Sequence, residues 1–168
     1  TCHQSRVEGE RPHECWLERW SQEAAKQGTR ALDSLRAGVE TAIRELGSGF
    51  LMPGRNAELR EALRSGALST HEYYRELLRL VYRLLFLFVA EDRQLLHDPA
   101  ATDEARERYA QWYSTERLRD LAGKRRGTKH TDLWSVLRLV MNGLGNDDGC
   151  PALGLPPLGS YLWSGSAI

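Results

Sequence analysis

Two groups of residues in this sequence have the types that metal or phosphate chemistry requires. Cys2, His3, His13 and Cys15 supply the thiolate and imidazole ligands that zinc prefers. Their spacing matches no zinc module, and His3 directly after Cys2 is badly placed for tetrahedral ligation. Ordinary cysteines and no metal are therefore expected. The second group is Lys124-Arg125-Arg126-Gly127-Thr128-Lys129-His130, the one dense basic run. A basic loop ahead of a helix holds phosphate backbones without reading sequence, because its cations pair with oxygens common to every nucleotide. Lys124, Arg125, Arg126, Lys129 and His130 are thus candidate contacts to a DNA backbone, with a merely solvated loop as the alternative.

Arg75, Arg79 and Arg83 fall four residues apart and share one helix face. Arg83 sits amid leucines and needs a partner if buried, for which Glu76, Glu91 and Asp92 are at hand. A structural ion-pair network is the expectation, because a buried charge must be paired whatever the function.

Other patterns fail on their chemistry. Gly47-Ser48-Gly49-Phe50 has the glycines of a cofactor loop, but such loops follow a strand and this one follows a helix. Leu155-Pro156-Pro157-Leu158 echoes the Pro-Pro core of the catalytic loop of amino-group DNA methyltransferases. That loop needs a polar residue before the prolines and an aromatic after them to hold a flipped base, and two leucines supply neither. A metal-dependent nuclease would place an acid two residues before a lysine, whereas Lys26, Lys124 and Lys129 follow Ala24, Ala122 and Gly127. No catalytic or cofactor-binding residue is expected in this segment.

Composition sets the frame for these residues. The chain has 168 residues, 41% hydrophobic and 27% charged, enough for one compact domain with a core. A formal net charge of zero leaves no global field towards nucleic acid or membrane. Three cysteines without framework spacing point to a reducing compartment. Leu84–Ala90, the longest uncharged stretch of the most apolar segment, is far short of the ~18 residues a membrane span needs. A soluble cytoplasmic protein is expected. Thr1 and the Ala167-Ile168 end look cut from a longer chain.

Strand signals are nearly absent and helical spacing recurs throughout. The pattern predicts helices over Glu14–Gln27 and from Thr29 to a left-handed stop at Gly47, then a short one from Asn56 to Gly66. Ser69 and Glu72 have capping-box spacing. The helix they begin, Glu72–Arg93, is apolar nearly all round and is expected to be surrounded by others. Thr102 or Asp103, Ser114 and Thr131 can start three more. The Gly/Pro-rich remainder is expected to be ordered but not helical. The expected fold is all-α, a single domain over residues 1–168: an irregular bundle of about six to seven helices around one central apolar helix.

The run from Tyr73 to Arg93, YYRELLRLVYRLLFLFVAEDR, resembles the helical region ahead of the methyltransferase domain in large adenine-specific DNA methylases. These serve restriction–modification and phage defence and include type IIG/IIL, BREX and DISARM enzymes. Gln27–Leu32, Leu46–Leu51, Tyr113–Arg119, His130–Trp134 and Leu153–Gly159 extend the likeness over most of Trp16–Trp163. It implies a parent that transfers a methyl group from S-adenosylmethionine to the adenine amine, with DNA and its own downstream methyltransferase domain as partners. The parent's cofactor and Pro-Pro loops have no matching position here. The rival expectation is a non-enzymatic helical module that binds another protein.

Overall fold

The computed structural model describes residues 16–52, 54, 56–124 and 130–163. The fold is all-α. Among the described residues six α-helices run in order: α1 (Trp16–Phe50), α2 (Ala57–Ser65), α3 (Thr70–Asp92), α4 (Asp103–Trp112), α5 (Thr115–Lys124) and α6 (Asp132–Gly145). One 3-10 turn follows at Pro151–Leu153, and no strand occurs among the described residues. The chain divides into two compact units, Thr1–Gly49 and Phe50–Ile168.

In the first unit α1 is a single 35-residue helix, which corrects two expected breaks. Gly28 and Gly47 are helical, not stops. Thr29 does not cap a new helix; its hydroxyl donates back to the Ala25 carbonyl at 3.0 Å. A glycine inside a helix costs about 1 kcal/mol against alanine but removes no hydrogen bond. Local stop signals therefore yield when the flanking residues continue the ladder. The helix count falls one below the segment-by-segment reading because two expected helices are one.

The second unit begins with chain punctuation that follows the sequence closely. Gly66 ends α2 in the left-handed region (φ 80°), and Leu68 N–H returns to the Ala62 carbonyl at 3.0 Å. The bond satisfies a late helical carbonyl from beyond the left-handed glycine. Asn56 precedes α2 but does not cap it; its amide donates to the Phe50 carbonyl at 2.9 Å. Ser69 and Glu72 form a complete capping box: Glu72 N–H donates to Ser69 Oγ at 3.1 Å, and Ser69 N–H to the Glu72 carboxylate at 3.0 Å. Thr102 caps α4, and Ser114 Oγ accepts from Arg117 N–H at the start of α5. Thr131 precedes α6 without a side-chain cap.

The core of this unit gathers Leu87 and Ala90 of α3, Tyr109 of α4 and Leu137, Val140, Met141 and Leu144 of α6. The tail contributes Leu153, Leu155 and Trp163. Each large side chain buried here stabilises by about 2 kcal/mol. The tail is stitched in by its backbone: Gly154 O accepts from Asp98 N–H at 2.9 Å, and Leu158 N–H donates to Leu144 O at 2.8 Å. Gly145 is needed for that seam, since a Cβ there would lie 2.2 Å from the Trp163 carbonyl oxygen.

The expectation that α3 is surrounded holds for one face only. Leu77, Val81, Arg83, Leu87 and Ala90 are buried, whereas Tyr74, Tyr82, Phe86 and Val89 are 48, 51, 38 and 54% exposed. Apolar residues all round a helix show that water is to be excluded from every side. They do not say which chain excludes it.

Three outcomes follow for measurement. Gly28→Ala, where a Cβ meets nothing within 4 Å, should raise helicity by circular dichroism and stabilise α1 by about 0.5–1 kcal/mol. Gly145→Ala should lower the urea midpoint, costing about 1–3 kcal/mol through overpacking. The third concerns pH. The Ser69 hydroxyl, then the Ser69 backbone N–H, hold the Glu72 carboxyl below the ordinary carboxylate range. A carboxyl so lowered stabilises the fold above its unfolded pKa of about 4.3, and that contribution is lost as pH falls through the lower native value. Glu72→Gln should therefore be less stable than wild type at neutral pH, with the gap closing on acidification.

Candidate functional site

The basic run joins the end of α5 to the start of α6. Its two described members are both at the surface. Lys124, the last residue of α5, lies 3.6 Å from Asp120 one turn earlier, both side chains being about 70% exposed (74% and 69%). An exposed pair of this kind stabilises little and leaves the ammonium available to a stronger anion. His130 is exposed just ahead of α6. Arg125, Arg126 and Lys129 lie outside the described residues, so the structure describes only the two ends of this candidate phosphate contact, Lys124 and His130. Cys2, His3, His13 and Cys15 also lie outside them. Among the described residues no three metal-ligating side chains cluster, and Cys150 is a half-buried free thiol.

The three arginines of α3 do share a face, graded from solvent to core. Arg75 is exposed, the Arg79 side chain is 11% exposed, and Arg83 is 2% exposed. Arg79 Nη1 donates to both Glu76 oxygens, at 2.7 and 2.8 Å, and its Nη2 to the Tyr161 hydroxyl at 3.0 Å. Arg83 Nε donates to the Leu162 carbonyl at 2.7 Å, and its guanidinium lies over the Trp163 ring at 5.6 Å. Burial, then the neighbouring Arg79 charge, hold Arg83 below the ordinary guanidinium range, while Glu76 acts the other way. Of the expected network, the Glu76–Arg79 ion pair is present. Arg83 instead meets the Leu162 carbonyl, a tie to the tail that local sequence did not suggest.

Glu91 and Asp92, named as partners for Arg83, are engaged elsewhere. Asp92 accepts from Arg119 of α5 at 2.9 Å. Glu91 receives the Tyr109 hydroxyl at 2.5 Å, the Thr115 N–H at 2.8 Å, the Thr115 hydroxyl at 2.6 Å and the Glu116 N–H at 3.0 Å. One carboxylate from α3 therefore caps the N-terminus of α5 and anchors α4. Burial, then the hydrogen bond to Glu91, push the Tyr109 phenol far above its ordinary range, so it stays a proton donor. No short spacing could have revealed this hub, because its donors lie 18 to 25 residues away. The only local signal was an acid closing an apolar helix.

The arrangement suits anchoring and ion pairing, and every buried side-chain nitrogen and oxygen among the described residues has a partner. No helix among them is long and apolar enough to cross a membrane. Comparisons with family models, with curated proteins and with solved structures found no match.

Removing the hub should be costly. Glu91→Ala strands a buried phenol and three helix-start donors, and should destabilise by about 3 kcal/mol in urea unfolding. Tyr109→Phe should cost about 2 kcal/mol, and the double variant less than the sum of the two, since they share one hydrogen bond.

Proposed function

We propose that this chain is the helical scaffold region of a cytoplasmic, S-adenosylmethionine-dependent DNA adenine methyltransferase of the restriction–modification or phage-defence type. In this reading it does no chemistry itself. It packs against the methyltransferase domain of its own chain, and the Lys124–His130 loop touches the DNA backbone. The observation that carries the reading is the Tyr73–Arg93 run with its likeness to such methylases, here the α3 around which the second unit is built. Two further features support it. The described ends of the basic loop are at the surface, and α3 keeps Tyr74, Tyr82, Phe86 and Val89 exposed, as a helix shared with a further domain would.

A second reading draws on the same exposed stripe: a non-enzymatic helical module whose α3 face binds another protein. The reading frame beyond Ile168 separates the two. A glycine-rich loop after a strand, followed by Asn-Pro-Pro-aromatic, supports the methylase; a frame that lacks them overturns it.

For the loop, Arg125, Arg126 and Lys129 are to be replaced by Ala in the full protein, with DNA affinity measured against salt. Each lost phosphate contact should flatten the logarithmic slope by about 0.9, so the triple variant should lose roughly 2–3 units. An unchanged slope removes the loop from the DNA interface.

A further inference from the structure

We infer that two copies of this chain pair through the outer stripe of α3, their helices antiparallel about a two-fold axis at Tyr82. The inference rests on the second reading above, in which the α3 face binds another protein, and it names that protein as a second copy.

Tyr74, Leu78, Tyr82, Leu85 and Val89 follow one another at steps of four, four, three and four residues. Those steps keep them in one row along about 22 Å of helix. Tyr74, Tyr82 and Val89 are 48, 51 and 54% exposed, and Leu78 and Leu85 are half-buried. Phe86 borders the row at 38% exposed. The row reads nearly the same from either end. Turned end for end about Tyr82, it sets Tyr74 against Val89, Leu78 against Leu85 and Tyr82 against itself. A two-fold interface must be self-complementary, each residue finding its match on the same surface in reverse. A stripe shaped for a foreign partner is under no such constraint.

The helix ends agree with the row. Antiparallel pairing brings the start of one α3 to the end of the other, so opposite dipole ends lie together. It also sets exposed His71 against Asp92, whose side chain stays 61% exposed beside Arg119. A parallel pair would align like ends. Arg75 and Arg93 are exposed and fall at the rim, where long side chains keep their charge in water.

The area fits a weak dimer. An aromatic side chain spans roughly 150–250 Å², so the row with Phe86 leaves about 500 Å² open on one copy. A symmetric pair buries about 1,000 Å², where specific interfaces begin, and such a pair associates in the micromolar range. A shallow hollow of about 270 Å³ between Leu78, Tyr82 and Tyr161 lies beside the axis. It receives the Tyr82 ring of the other copy.

The experiment measures the mass of the full chain by sedimentation velocity from about 1 to 200 µM, a range that brackets the expected affinity. Dimer should grow with concentration. Tyr82→Asp sets two carboxylates at the axis and should weaken association about hundredfold, with helix content by circular dichroism unchanged. On mild oxidation Tyr82→Cys should cross-link to a dimer beyond the wild-type background. Tyr74→Cys should link to Val89→Cys when the two are mixed, and not to itself. A monomer at every concentration, a dimer indifferent to Tyr82→Asp, or cross-linking at Tyr74→Cys with none at Tyr82→Cys would each overturn the proposal. Should Tyr82→Asp fail to fold, the wild-type mass and the cysteine variants decide. Loss of the dimer is distinct from loss of the reading it rests on, which the reading frame beyond Ile168 decides.

Discussion

The carboxylate of Glu91 is the constraint on which the second unit's arrangement turns. It sits in the last turn of α3, the end of a helix whose dipole disfavours negative charge. That cost is offset because the N-terminus of α5, with its free N–H groups and opposite dipole end, points at the same carboxylate. Tyr109 fixes the remaining direction from α4. Three helices meet at one anion, and each donor would be stranded without it. A hydrophobic core alone would let α4 and α5 slide, since apolar contact has no direction. Hydrogen bonds to a charged acceptor do.

A second set of polar ties holds the tail. Residues 146–163 bury Leu153, Leu155 and Trp163 without forming a helix beyond one short turn. Their backbone groups must be satisfied individually. Arg108 reaches the Ala152 carbonyl at 2.6 Å, Arg83 the Leu162 carbonyl, and Leu158 the end of α6. The abundance of Arg over Lys suits this work, because a planar guanidinium offers several donors in fixed directions and stacks on rings. Arg79 over Tyr161 and Arg83 over Trp163 do both at once. A charge on α3 thereby becomes a bolt for the tail.

These ties leave much of the outer stripe of α3 open: Tyr74, Tyr82, Phe86 and Val89 stay at least 38% exposed, although Phe86 meets Trp163 of the tail edge-on with ring centroids 5.4 Å apart. The proposed scaffold role uses this stripe, whose apolar side chains suit a broad partner such as a neighbouring domain.

Much of the architecture was legible in residue types and short spacings. The all-helical class, the capping box at Ser69 and Glu72, the Gly66 stop and the Thr102 and Ser114 starts all depend on residues within one turn of each other, where local geometry decides. The fused α1 was not legible at Gly28 and Gly47, because a glycine is neutral between stop and continuation until its neighbours choose. Glu76 lies within one turn of Arg79, so that pairing was legible from spacing. Tertiary structure alone decided the donors of Glu91 and Asp92, which met them only when segments 18 to 27 residues apart were packed together. It also decided which face of α3 stays open. By itself, the sequence determined that α3 would be the apolar centre. Packing decided how much of it this chain covers, because burial belongs to the assembled surface and not to the residue.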